Sequence, residues 1–273
     1  MQDQYKAIFS RNIGLLSEAE QEKLMMSCIG VAGVGGVGGL LAERLIRLGV
    51  GKLKITDPGA FAESDFNRQY NSSVDTLGRN KAEAVFEQLH VINPQAQIIW
   101  DKAGITTLDS AELFVSDCDL IIDEMDISVF KESIFLQRAA RRNGLYFIFA
   151  SAIGFGSLVA VFDPQGMTLE EYNGLSPDLD LSHTDKLVIP SDRVAPVMPS
   201  YVADIAANIN IQDVLEGKKP ATTLSIGVGL ASALSASEAV RIILDKGGVV
   251  TAPQFTYIDL LDRKCVVGTI NKP

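Results

Sequence analysis

The stretch VAGVGGVGGLLAERLIRLGVGKLKITD, residues 31–57, constrains this chain more than any other. The run CIGVA before it is compact and β-like, and Gly33, Gly35 and Gly38 follow as G-x-G-x-x-G. Leu41, Leu45 and Leu48 then fall on one face of a helix that Gly49–Gly51 ends, and KLKIT reads as the next strand. In a strand–loop–helix turn the first glycine permits the tight bend, the second lets backbone approach a phosphate, and the third lets helix and strand pack closely. The N–H groups at the helix start face phosphate oxygens. Asp57, at the end of the second strand, is placed to accept hydrogen bonds from ribose hydroxyls. The context predicts a nucleotide site rather than an empty turn. It does not name the nucleotide, because dehydrogenases, flavoenzymes and adenylating enzymes all use such a loop.

The remaining chain extends the alternation. Ser17 and Glu20 form a capping-box pattern for a helix running to about Met26. Ala82, Val85, Leu89 and Ile92 mark a helix closed by Pro94; QIIWD, CDLIID and LYFIFAS read as strands, with a helix over 128–142 stopped by Asn143-Gly144. Strands alternating with helices predict a doubly wound, Rossmann-like α/β fold with a mostly parallel sheet. After LVAVF (158–162) the pattern changes, and half of all prolines fall between Pro164 and Pro199. That segment reads as a long crossover rather than an element, and loops of that length are functional or disordered. Helices resume over about 201–215 and along SIGVGLASALSASEAVRIIL, whose small residues admit a close neighbour. FTYIDLL and CVVGT form a closing antiparallel hairpin around Asp262-Arg263-Lys264. One domain is expected over 1–273, with an N-terminal arm over 1–26 and the crossover over 164–200.

Net charge is −10, which argues against nucleic acid as the main partner. The start MQDQYKAIFSRN lacks a secretory pattern, and no uninterrupted apolar run approaches membrane-spanning length. Cys28, Cys118 and Cys265 lie far apart in sequence without a C-x-x-C pair, and only His90 and His183 accompany them. A cytoplasmic, reducing location is expected and a thiolate zinc site is not.

The nucleotide is narrowed by ESDFNRQYNSSVDTLGRNKAEA, residues 63–84. Arg68 can fork onto phosphate oxygens and Lys81 can stand beside them as a point charge, where both stabilise charge on leaving pyrophosphate. Alone, Lys81 reads as a solvated residue on a first helical turn. DLIIDEMD ends a strand in acids, and Asp126 stands where a magnesium ion bridging phosphates needs a carboxylate, with Asp123 and Glu124 as alternatives.

On these residues the chain resembles the ThiF/MoeB/HesA family, bacterial relatives of ubiquitin-activating E1 enzymes. The resemblance runs nearly end to end, through SRNIGLLSEAEQEKL, the glycines at 33–38, SDFNRQ at 64–69, GRNKAE at 78–83, DLIIDEMD and SEAVRIIL. It implies that the loop binds ATP with Gly36 near the phosphates, that Asp57 holds the ribose, and that Asp126 holds Mg2+. It assigns the phosphate region to the 64–68 segment, with Ser64, Asp65, Asn67 and Arg68, and to Lys81. Arg11 matches an arginine that a homodimer partner supplies to the other subunit's site. Three positions depart from the family pattern: Asp65 replaces an asparagine in SNLNRQ, Ile127 an asparagine and Asn12 a glutamine. An acid at 65 is unfavourable near phosphates unless it meets a metal or a base.

The implied chemistry is attack of a carboxylate on the α-phosphorus of ATP, giving an acyl-adenylate and pyrophosphate. The carboxylate belongs to the C-terminus of a ubiquitin-like sulfur carrier, to a peptide, or to another carboxylated molecule such as a tRNA base. No cysteine lies in 164–199, Cys28 and Cys118 read as core residues, and Cys265 is the least unfavourable nucleophile, so no thioester relay is expected. Arg138, Arg141 and Arg142 suit a helix C-terminus and solvent, Lys218-Lys219 a solvated turn, and His183 an exposed position with a lid role as the alternative. Two other classes stay open: an NAD- or FAD-dependent oxidoreductase, which leaves Arg68, Lys81 and Asp126 unexplained, and a non-catalytic scaffold.

Overall fold

The computed structural model describes residues 2–182, 184, 187–190, 193, 196–201 and 211–270. His183 and most of the helix expected to start near 201 lie outside these residues.

An eight-stranded sheet runs β3-β2-β1-β4-β5-β6-β7-β8, formed by β1 (Cys28–Ala32), β2 (Lys52–Thr56), β3 (Gln97–Asp101), β4 (Leu120–Asp123), β5 (Tyr146–Ile153), β6 (Gly156–Phe162), β7 (Gln254–Asp259) and β8 (Lys264–Thr269). The first five strands pair in parallel and the last three are antiparallel, as the sequence predicts. β1 is buried throughout because both its faces are covered. Ile29 and Val31 face one apolar layer, and Cys28 and Ala32 face the other.

Helix α1 (Gln2–Ile8) and α2 (Glu18–Met26) make the arm; Ser17 and Glu20 cap α2 reciprocally, at 3.2 and 2.8 Å. Asn12 donates to Gln21 Oε1 and to the Leu48 carbonyl, fastening the arm beside the C-terminal end of α3 (Gly36–Leu48). Gly49, with φ +98°, ends α3. Helix α4 (Lys81–Ile92) lies with α3 on the first layer, and α6 (Phe130–Arg142) lies on the second. Beside α6 is α5 (Leu108–Val115), which the sequence reading left unassigned; Thr107 and Ser110 cap it, and Ala111 and Val115 are its buried face.

The crossover also holds an element: α7 (Leu169–Tyr172), one turn capped by Thr168 and Glu171. Beyond it, α8 (Ile211–Leu215) and α9 (Ser225–Ile243) complete the described helices. By length and composition α9 is apolar enough to cross a membrane, but it is packed against α3, β5 and β6 as a core helix.

The α6 arginines do more than face solvent. Arg138 pairs with buried Glu170 at 2.7 Å and donates to the Leu179 carbonyl, while Arg141 donates to the Gly166 carbonyl. Lys131, two turns earlier, donates to the Thr184 carbonyl. The expectation of a solvated helix end holds only for Arg142, exposed in a pair with Glu112. Lys218 and Lys219 pair with Glu216 and Asp213 in an exposed turn.

Candidate nucleotide site

The site lies at the carboxyl ends of β1, β2 and β4, where a doubly wound sheet opens its crevice. Gly33 has φ +83°, and a Cβ there would lie 2.5 Å from the Glu124 carbonyl oxygen. A Cβ at Gly38 would collide with the Gly33 carbonyl oxygen, so helix and strand pack only because both are glycine. Gly35 and Gly36 differ. A Cβ at Gly35 would meet nothing closer than Gln69 at 3.5 Å, and one at Gly36 would meet Val228 at 3.4 Å. A Cβ at either position would make only ordinary van der Waals contact, so packing alone does not require glycine there, and bare backbone at the first turn of α3 suits the approach of a phosphate.

Asp57 stands beside this loop. Its Oδ2 accepts from the Val34 N–H at 2.9 Å and its Oδ1 from the Gly59 N–H at 2.8 Å, which fixes the carboxylate where a ribose would meet it. Arg68 adjoins Gly36, donating to the Ser64 carbonyl at 3.0 Å and to Asn67 Oδ1 at 2.9 Å. Asn67 in turn donates to the Thr223 carbonyl, tying this segment to the chain just before α9. Lys81 is not the solvated residue that its helical position alone implies. Its Nζ is 3.6 Å from Asp65 Oδ2 and lies over the Phe61 ring, with the side chain 16% exposed.

Asp65 resolves its own anomaly. Its carboxylate is buried and meets both cations, Lys81 through Oδ2 and Arg68 through Oδ1, each at 3.6 Å. It also accepts from the Ala62 N–H at 3.0 Å and from Gln69 Nε2 at 2.6 Å. The acid near the phosphate crevice is thus an internal counter-ion. Gln69 escaped the sequence reading, although it closes SDFNRQ. It is 5% exposed, and its Oε1 is buried without a hydrogen-bond partner on the Gly35 side.

The three acids that end β4 separate by environment. Asp123 is buried and accepts from the Met125 N–H, and burial pushes its carboxyl up to about 6. Glu124 accepts from the Ser235 hydroxyl of α9 at 2.9 Å, and desolvation raises it well above the ordinary carboxylate range. Asp126 alone is exposed, with Oδ1 accepting from the Ser128 N–H at 2.9 Å and Oδ2 free to ligate. No cluster of three metal-ligating side chains exists among the described residues, so a divalent ion here would take one protein carboxylate and complete its shell with phosphate and water.

Arg11 stays outside. It sits on a 3₁₀ turn of the arm, exposed and without a hydrogen bond or ion pair among the described residues. Its neighbour Asn12 holds the end of α3 opposite the glycine loop. Thirteen residues of helix put about 20 Å between the two ends. Within one chain Arg11 does not reach the crevice.

Known proteins share the family profile and the fold. The ThiF family profile matches residues 9–272. The chain is 32% identical over 123 residues to tRNA threonylcarbamoyladenosine dehydratase of Bacillus subtilis (strain 168), covering 45% of this chain and 48% of that protein. It is 36% identical over 106 residues to ubiquitin-like modifier-activating enzyme 5 of Culex quinquefasciatus, covering 39% of this chain and 26% of that one. Each match spans less than half the relative's length. A crystal structure of E. coli MccB with ATP shares the fold with a TM-score of 0.68 at 16% identity, over 93% of this chain and 66% of that chain.

Proposed function

The chain belongs to the ThiF family, and from that premise we propose that it is an ATP-dependent adenylyltransferase activating a carboxylate as an acyl-adenylate. The observation that carries the reading is the crevice itself. Two cations, Arg68 and Lys81, flank a loop whose Gly35 and Gly36 are glycines that packing alone does not require. ATP in the MccB structure supports the choice of nucleotide.

In this reading the α3 N-terminus, Arg68 and Lys81 orient the triphosphate and stabilise the negative charge that gathers on pyrophosphate as it leaves. Asp57 holds the ribose. A carboxylate substrate is already ionised at neutral pH, so attack on the α-phosphorus needs no general base. Mg2+ held by Asp126 would neutralise phosphate charge when bound. Cys28 and Cys118 are buried and no cysteine occurs in 164–199, which supports release of the adenylate to an external acceptor rather than to an enzyme thiol. The carboxylate is the C-terminus of a ubiquitin-like carrier or a peptide; the Bacillus relative's name makes a tRNA-borne carboxylate the competing substrate. Three free cysteines support a cytoplasmic setting.

We assign Arg11 to the partner's crevice in a homodimer, because its guanidinium has no hydrogen bond or ion pair among the described residues and lies far from its own crevice. Arg11→Ala and Asp126→Ala should each be inactive, and mixing them should restore part of the activity in heterodimers. No recovery despite subunit exchange would place Arg11 outside the reaction. The nucleotide is tested by thermal shift: ATP with Mg2+ should stabilise the protein more than NAD or FAD, and the reverse order would overturn the reading.

A further inference from the structure

Cys28 and Cys118 are 90 positions apart in sequence, yet their Sγ atoms lie 3.9 Å apart. The parallel register of β1 and β4 causes this. Ile29 is opposite Leu120, so Cys28, the first residue of β1, lies beside the Cys118–Asp119 segment that leads into β4 at the base of the sheet. The Cys28 N–H donates to Asp119 Oδ2 and the Asp119 N–H to the Cys28 carbonyl, which holds the two backbones in place. Both thiols are free, and they are 5% and 8% exposed. Both are buried in the apolar layer that α5 and α6 cover.

The surroundings divide the two roles. Lys54 is buried nearby, held by the Ser116 hydroxyl at 3.2 Å and the Phe114 carbonyl at 3.4 Å. The hydrogen bond with Cys118, with Lys52 and Lys54 adding positive charge, holds the Cys28 thiol below its ordinary range. The same bond and burial push Cys118 up. Cys118 Sγ is also 3.6 Å from the Phe114 carbonyl, in a pocket shared with Ile121 and Gly30. A pair with one readier thiolate and one adjacent thiol is the arrangement that resolves an oxidised sulfur.

We propose that Cys28 and Cys118 are a redox-sensitive dithiol that closes to a disulfide under peroxide. The Cys28 thiolate attacks one peroxide oxygen, forming S–O and breaking O–O, and the departing hydroxide takes a proton to become water. The Cys118 sulfur then attacks the sulfenic sulfur, forming S–S and breaking S–O, and a second water leaves with the thiol proton. Two thiols lose two electrons and two protons, and one peroxide becomes two waters. Closing from 3.9 Å to the bond length of about 2 Å takes side-chain rotation and a small backbone shift.

The place of the bond gives it meaning. β1 leads into the glycine loop and β4 into the acidic segment, and Gly33 packs against the Glu124 backbone at the top of the same strand pair. A disulfide at the base staples together the two strands that carry the nucleotide site at their other ends.

The test uses full-length Cys265→Ser protein, which removes the exposed thiol. After hydrogen peroxide and removal of excess, titratable thiols under denaturation should fall from two to none, and the mass should fall by that of two hydrogens. Proteolysis should release a Cys28–Cys118 cross-linked peptide, and the melting temperature should rise, with dithiothreitol reversing all of it. The Cys118→Ser, Cys265→Ser protein should instead stop with oxygen added at Cys28. Two thiols left intact, or oxygen added at both cysteines without a cross-link, would overturn the proposal. An unchanged or lower melting temperature in the cross-linked protein would overturn the stapling role.

Discussion

Two polar clusters stand along the same edge of one sheet, and they are built to opposite ends. In the parallel half, Asp65, Arg68, Lys81 and Asp57 surround a loop whose Gly35 and Gly36 have room for a side chain. In the antiparallel half, Asp259 is buried and accepts from both Tyr201 and Tyr257, while Tyr201 accepts from the Phe155 N–H. Burial works against its charge, yet those phenols and the Asp262 N–H leave its carboxyl below the ordinary value. Its glycines are all consumed by packing: a Cβ at Gly154 would lie 2.7 Å from the Tyr201 ring, and one at Gly227 would lie 2.7 Å from the Gly154 carbonyl oxygen. The second cluster is satisfied within the chain. The first keeps glycines at 35 and 36 that its own packing does not demand. A glycine marks a ligand when the fold would tolerate more, and marks only the fold when it would not.

The sharpest way to break this contrast is to remove the charges. Asp126→Ala and Lys81→Ala should each lower adenylation by about a hundredfold to a thousandfold. Asp126→Ala should cost about 1 kcal/mol of stability, since its folded-state contact is the cap on Ser128. Pyrophosphate release with the true substrate, beside a melting curve, measures both; wild-type turnover would end the assignment.

Exchanging a methyl for a hydrogen tests the glycines directly. Gly36→Ala should fold normally yet bind ATP about a hundredfold more weakly, because a small displacement at the phosphates is amplified. Gly154→Ala should do the opposite, losing about 1–3 kcal/mol of stability at a backbone with φ +58° while ATP affinity holds. Equal losses of affinity in the two variants would erase the distinction.

Smaller changes sharpen it. Tyr201→Phe strips a donor from Asp259 and an acceptor from the Phe155 N–H, and should cost about 1–3 kcal/mol in denaturant unfolding without altering ATP affinity. Asp65→Asn should tighten ATP by about fivefold, the equivalent of roughly 1 kcal/mol for one like charge near the phosphates in a solvated crevice. Calorimetry at low and high salt checks this, and weaker binding would make Asp65 a requirement for holding the cations rather than a brake on them.

What the sequence disclosed followed the range of the interactions involved. The Ser17–Glu20 cap, the turn at Gly33 and the end of α3 at Gly49 depend on neighbours within a few residues, so they were legible. Asp57 was legible because the strand–loop–helix–strand unit fixes its distance from the loop. Helix α5 was overlooked although Thr107 and Ser110 announce it, because eight residues with two buried positions make a weak period. The thiol pair, the Glu124–Ser235 bond and the Arg138–Glu170 pair join residues 90, 111 and 32 positions apart, and nothing local encodes them. The burial that separates Asp123 and Glu124 from Asp126 is likewise set by the completed sheet, which is why the sequence left Asp123 and Glu124 as alternatives to Asp126.

The α6 side chains fasten the crossover mainly through its main chain. Lys131, Arg138 and Arg141 grip the carbonyls of Thr184, Leu179 and Gly166, and among the described residues Glu170 alone meets an α6 cation through its side chain. Every residue type presents a carbonyl, so these polar moorings are blind to what the crossover's side chains are. Substitutions at its exposed positions can accumulate without loosening it, provided Glu170 and the buried Leu169, Tyr172, Leu181 and Ile189 remain. The fold thereby separates what must be inherited unchanged from what is free to drift, and related chains can acquire new crossover surfaces on the same fixed moorings.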